Sequence, residues 1–277
     1  TYGNGSVWNA QHKGLGQIGT DANFLHNGYM SILVGDTLYF DGDDNGQPSV
    51  GRELFAFNTS NETTWLVKDI NPNFDSGGYQ IGSDSQIGTY MHVLIGDTIY
   101  FNANDGSTGH ELWAHNTTNQ TTWQVADIND GAGNGVTGNG VIHVIDDTLY
   151  FTARDDVSSA AELWAYNTSN LTAWNLTDID TLNGGSIGQK MSMLVGDTIY
   201  FDANMGYLTL GGMFAYNTSN HTWWRAVSFT KDPGYGGNGN TMEGYMSTLI
   251  GDTIYFDALN ETNKQEVFAH NTLNGTT

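Results

Sequence analysis

The stretch Glu162-Leu-Trp-Ala-Tyr-Asn-Thr-Ser-Asn-Leu-Thr-Ala-Trp174 decides how this chain is read. Two apolar, aromatic-rich runs flank an Asn-Thr-Ser-Asn centre, which is the pattern of a β-hairpin whose turn residues bond their own backbone. Variants recur at Glu53–Trp65, Glu111–Trp123 and Gly212–Trp224. Another begins at Glu266 and reaches Thr277 before a closing Trp appears.

A second phrase runs in step with the first. Gly35-Asp-Thr-Leu-Tyr-Phe40 returns at Gly96–Phe101, Asp146–Phe151, Gly196–Phe201 and Gly251–Phe256. The shared Asp stands at 36, 97, 147, 197 and 252, so the spacings are 61, 50, 50 and 55 residues. A period of about 40–50 residues holding about four strands is the mark of a propeller blade. Each repeat reads as strand A (Met193–Val195), a two-residue Gly-Asp turn, strand B (Thr198–Phe201), a polar loop, strand C (Glu111–Ala114), the Asn turn and strand D (Thr121–Ile128). The expectation is an all-β, five-bladed β-propeller, four antiparallel strands per blade, with residues 1–277 forming one domain. Trp113, Trp164, Phe214, Trp65, Trp123, Trp174 and Trp223 then pack blade on blade.

The fifth repeat has A, B and C but no D. Ser6-Val-Trp8 aligns with Thr64-Trp65, so an N-terminal strand is expected to complete the last blade, with Val7 and Trp8 beside Phe268. That pairing would close the ring and remove two open sheet edges. Made with a neighbour's fifth blade instead, it would give a head-to-tail polymer.

Eight Lys and Arg against thirty Asp and Glu leave a formal charge of −22, which repels phosphate backbones and excludes nucleic acid as a partner. There is no cysteine, hence no disulfide and no thiolate metal site. No targeting leader and no run of about 18 apolar residues is visible, so no membrane span is expected. A first residue of Thr rather than Met fits a processed product.

The pattern GDTLYF … GRELF … KDINP in residues 35–72 resembles the ELWxxDGT repeat family. The resemblance spans all five repeats and implies a secreted bacterial or archaeal propeller array, extracellular or at the cell surface. It carries over no catalytic residue. Here Asn-Thr-Ser-Asn replaces the family's DGT turn, and the fourth repeat reads Gly212-Met-Phe-Ala without the Glu.

The strongest chemical signal is a set of Asn-x-Ser/Thr sequons at Asn58, Asn61, Asn116, Asn119, Asn167, Asn170, Asn217, Asn220 and Asn274, all in C–D turns. Good turn chemistry explains one Asn per turn; paired sequons in four turns point to N-glycosylation. Asn4, Asn175 and Asn260 are sequons outside these turns. Asp41-Gly-Asp43-Asp44-Asn45-Gly46 reads first as a hairpin tip and second as a calcium loop, with Asp41, Asp43 and Asn45 as ligands. Calcium is the one cofactor the chain suggests.

Glu53, Glu111, Glu162 and Glu266 open strand C in repeat after repeat, which argues for a structural hydrogen-bonding role. The eight histidines show no metal-ligand spacing, and no nucleophile elbow or phosphate loop occurs. The Gly-rich D–A loops (Asn71–Thr89, Asn129–Gly140, Asp180–Lys190, Lys231–Gly244) hold Tyr79, Tyr235, Asn134, Asn139, Asn238 and Asn240, groups suited to a carbohydrate. The expected function is therefore a non-catalytic, secreted or cell-surface glycoprotein. It would bind surface glycans in lectin fashion or self-associate into a filament or surface layer. The alternative is a glycoside hydrolase, needing two carboxylates about 5–10 Å apart, for which Asp180, Asp232 and Glu243 are candidates.

Overall fold

The computed structural model describes residues 29–43, 50–72, 83–138, 140–156, 160–177, 179, 186–204, 211–228, 242–259 and 264–277. Among them every regular element is a strand, and there is no helix to cross a membrane. β1 (Ser31–Val34), β2 (Thr37–Asp43), β3 (Arg52–Asn58) and β4 (Thr63–Lys68) form the first sheet in chain order. The second holds β5 (His92–Ile95), β6 (Thr98–Asn104), β7 (His110–Asn116) and β8 (Thr121–Ala126). β9 (Ile142–Ile145), β10 (Thr148–Ala153), β11 (Glu162–Asn167) and β12 (Thr172–Asn175) make the third. The fourth is β13 (Ser186–Val195), β14 (Thr198–Asn204), β15 (Gly212–Asn217) and β16 (Thr222–Ser228). The fifth has three strands, β17 (Met242–Ile250), β18 (Thr253–Leu259) and β19 (Gln265–Asn271). The described residues are thus all-β, built of five antiparallel sheets of three or four strands.

Turn chemistry explains the meander. A two-residue hairpin turn needs positive φ, which glycine adopts without cost. Gly35, Gly96, Gly196 and Gly251 supply it at φ 57–59°, and Asp146 takes the same conformation at φ 50° in the third sheet. The C–D turn is locked to this A–B turn beside it. In the third sheet Thr168 donates its N–H at 2.8 Å and its hydroxyl at 3.0 Å to the Asp147 carbonyl, and Ser169 Oγ donates to Asp147 Oδ2 at 2.7 Å. The same bonds recur in the first, second and fourth sheets.

Side chains alternate across each pleat, so each strand buries two different rows. The chain falls into two compact units, Thr1–Gly109 with Trp113–Gln124, and His110–Leu112 with Val125–Thr277. In the first unit Tyr39, Leu54 and Ala56 of sheet one pack on Ile99, Phe101, Ala103 and Trp113 of sheet two. In the second unit sheet three packs on sheet four through Tyr150, Leu163, Ala165, Phe201 and Tyr216. Sheet four packs on sheet five through Tyr200, Met213, Ala215, Ile254 and Phe256. A strand-B tyrosine meets a strand-C ring at each layer: Tyr39 with His115, centroids 5.1 Å apart, Tyr150 with Tyr216 at 6.2 Å, and Tyr200 with His270 at 6.0 Å.

Two expectations about element ends are corrected. Strand D stops at Ala126 rather than Ile128, because the backbone beyond it turns to a buried glutamate instead of a neighbouring strand. Ser186–Lys190 and Met242–Gly244 are strand, not loop. Their glycines allow this. A Cβ on Gly188 (φ 66°) would lie 2.7 Å from the Val141 nitrogen, and one on Gly244 (φ 74°) 2.8 Å from Lys190 Cβ. Close backbone approach, rather than slack, is what these glycines provide.

Candidate functional site

Three of the four recurring glutamates, Glu53, Glu111 and Glu162, are committed to the backbone. Glu53 Oε2 accepts the Ile70 N–H at 2.7 Å. Glu111 accepts Ile128 and Gly135 N–H groups, both at 2.7 Å. Glu162 accepts the Ile179 N–H and the Thr177 hydroxyl, the latter at 2.6 Å. Each joins the start of strand C to the chain leaving strand D, satisfying donors that no strand pairs. Burial pushes Glu53 up to about 8 and Glu111 up to about 7, against the pull of these bonds. In the fourth sheet Gly212 replaces the Glu, and the backbone closes over the space: a Cβ there would stand 2.3 Å from the Val227 carbonyl oxygen.

A second polar row on strand B was not legible in the sequence. Asp41 Oδ1 accepts the Met30 N–H at 3.0 Å, Asn102 Oδ1 the Met91 N–H at 3.0 Å, and Thr152 Oγ1 the Val141 N–H at 2.7 Å. Asp202 accepts from Met191 and Asp257 from Met246, each at 2.8 Å. In the first three sheets the donor is the residue just before strand A; in the fourth and fifth it lies within the strand, at the shift in register before Ser192 and Ser247. The residue type changes from repeat to repeat while the acceptor oxygen stays, so no motif announces it.

This row bears on the calcium reading. Asp41 is 2% exposed, and its second oxygen is ion-paired to the Arg52 guanidinium. That oxygen is therefore already engaged by a side-chain cation. Asp43 ends β2, and Asn45 lies outside the described residues. Among the described residues no three His, Cys, Asp or Glu side chains converge on a metal position. The hydrolase candidates Asp180 and Asp232 also lie outside the described residues, as do the Glu243 side chain, Tyr79, Tyr235, Asn139, Asn238 and Asn240.

The sequon asparagines fall into two environments. Asn58, Asn116, Asn167 and Asn217, first in each turn, are half-buried, whereas Asn61, Asn119, Asn170, Asn220 and Asn274 are exposed.

The fifth sheet departs from the pattern in the most telling way. In sheets one to four, the row formed by the strand-B tyrosine and two strand-C residues is covered: Tyr39, Leu54 and Ala56; Tyr100, Leu112 and Ala114; Tyr150, Leu163 and Ala165; Tyr200, Met213 and Ala215. In sheet five the same row is Tyr255, Val267 and Ala269. Tyr255 is half-buried, Ala269 exposed and Val267 65% exposed, with Ile250 of strand A beside them at 64%. Glu266, whose counterparts are buried, is exposed as well. Among the described residues, β19 pairs with β18 alone. Val7 and Trp8, expected beside Phe268, lie outside the described residues. An apolar face and an adjoining strand edge therefore stand together on one sheet.

No family model matches the chain, and no curated protein sequence matches it. Among solved structures it is similar to TolB from Acinetobacter baumannii, at 11% identity and a TM-score of 0.38, over 86% of this chain and 49% of that one. It is similar to an oligogalacturonate lyase from Vibrio parahaemolyticus, at 10% and 0.49, over 87% and 61%. A puromycin-hydrolyzing peptidase from Mycobacterium tuberculosis gives 10% and 0.47, over 89% and 36%. The chain thus spans between 36% and 61% of the length of these proteins.

Proposed function

We propose that the five sheets are the blades of a five-bladed β-propeller of the ELWxxDGT type. In this reading the chain is a non-catalytic glycoprotein module, secreted or at the cell surface, that assembles with copies of itself. The observation carrying the proposal is the exposed Tyr255, Val267, Ala269 and Ile250 row on the fifth sheet. Its residue types match rows that are covered by the next sheet elsewhere in the chain, so its fitting partner is another sheet of the same repeat. A second copy supplies that sheet and covers the β19 edge. Such a contact is heterologous, and it propagates a filament unless the rotation closes. The buried glutamates support the non-catalytic half, since the repeated carboxylates are held in backbone contacts.

Electron microscopy of the purified chain, with parallel assays on a polysaccharide panel, tests both halves. Linear or ring-shaped multimers and unchanged polysaccharides are expected. Isolated single propellers would overturn the assembly reading in favour of closure within one chain, and cleavage of any glycan would overturn the non-catalytic one.

A further inference from the structure

We propose that the C–D turns of the folded protein accept N-linked glycans at their second asparagine, at Asn61, Asn119, Asn170, Asn220 and Asn274, and never at the first. The inference rests on the extracellular part of the proposed function, which brings the chain to a glycosyl-transferring enzyme, and is independent of self-assembly.

Sequence alone makes the two sequons of a turn equivalent; geometry separates them. At the first position the amide is built into the fold. Asn167 Oδ1 accepts the Ser169 and Asn170 N–H groups at 3.0 and 2.9 Å, and its Nδ2 donates to Thr148 Oγ1 on strand B at 3.2 Å. Asn116 and Asn217 repeat that donation to Thr98 and Thr198, at 3.1 and 3.3 Å. The hydroxyl of each first sequon faces away from its asparagine. Ser60, Thr118, Ser169 and Ser219 donate instead to Asp36, Asp97, Asp147 and Asp197.

The second position is arranged differently in all five turns. The threonine two residues on donates its hydroxyl to the asparagine Oδ1 at 2.6–2.7 Å. Its N–H bonds the same oxygen at 3.0–3.2 Å. The intervening residue takes positive φ: Glu62, Gln120, Leu171, His221 and Gly275. That conformation folds the sequon into a tight Asx turn, and the asparagine that carries it is exposed in all five turns. The sequon is thus held on an exposed asparagine with its hydroxyl on the amide oxygen, in bonds that do not use the amide nitrogen.

The reaction that fits uses a polyprenyl-phosphate-linked sugar as donor. Asn Nδ2 bonds the sugar anomeric carbon as that carbon's bond to the phosphate oxygen breaks. The phosphate leaves with the electron pair, and the amide nitrogen loses one proton.

Asn175 is a built-in control. Its sequon hydroxyl, on Thr177, is buried, donates to Glu162 at 2.6 Å and accepts the Leu163 N–H at 3.0 Å. It should stay bare.

The test is the full chain secreted from a glycosylating eukaryotic cell, with glycans released by an amidase in heavy-oxygen water so that each occupied asparagine becomes a labelled aspartate. Peptide masses should place label on second-position asparagines and leave Asn58, Asn116, Asn167, Asn217 and Asn175 unlabelled. Asn170→Gln should remove one glycan step from the gel mobility, while Asn167→Gln and Ser169→Ala remove none. Sugar on a first-position asparagine of folded protein overturns the proposal. So do bare second positions when a co-secreted control sequon is occupied. Peptide occupancy reads the same whether the chain is single or assembled, so failure here leaves the assembly reading standing, and the reverse holds too.

Discussion

The carboxylate of Glu111 accepts the backbone N–H of Ile128 at 2.7 Å, with its other oxygen on Gly135 at the same distance. Glu111 is wholly buried. One side chain therefore holds both the exit from strand D and the loop beyond it. Glu111→Ala leaves the Ile128 donor buried without a partner and should cost about 2–3 kcal/mol. Urea unfolding measures it. Glu111→Gln keeps an acceptor oxygen and should lose less.

Stability should also turn on pH in a direction these burials set. Glu53 and Glu111 are raised from 4.5 to about 8 and about 7 by burial, so between those limits the native state holds protons that the unfolded chain has released. Their contribution is whole below pH 4.5 and is lost as pH rises through 7 and 8. Burial lowers His115 from 6.5 to about 4, and lowers His110, His143 and His270 as well. Those contributions are whole above 6.5 and are lost as pH falls below it, for His115 down to about 4. Melting temperature should peak near pH 6–6.5 and decline by pH 8, and Glu53→Gln should flatten the alkaline limb. A melting temperature that climbs steadily from pH 6 to 8 would refute this.

Asp146 stands at φ 50° where the other four A–B turns place glycine. A left-handed residue with a Cβ is strained, though aspartate tolerates it better than most. Asp146→Gly should raise stability by about 0.5–1 kcal/mol, read by thermal unfolding. The reverse change, Gly196→Asp, should lower it by a similar amount.

The repeat was legible because hairpin chemistry is local. Gly-Asp and Asn-Thr-Ser-Asn declare their turns within four residues, and the five A–B phrases correspond to five sheets. What stayed hidden depends on tertiary contact. The acceptors Asp41, Asn102, Thr152, Asp202 and Asp257 share an oxygen and a position but no letter. The Asp41–Arg52 ion pair was hidden too, because a row of oxygens does not say which cation it faces. Glu266 looked like Glu111, yet it is exposed where Glu111 is wholly buried. Paired sequons looked equivalent because Asn-x-Thr does not say where the hydroxyl points.

The assembly claim meets its most direct test in sedimentation velocity of the full chain across a concentration series, beside Val267→Arg. Val267 is 65% exposed, so the arginine should leave the unfolding midpoint unchanged while placing a charge in the proposed sheet-to-sheet contact. The account predicts wild-type species that grow with concentration and a variant that stays a single chain throughout. A wild-type chain that remains single at every concentration, or a variant that associates equally well, would contradict it.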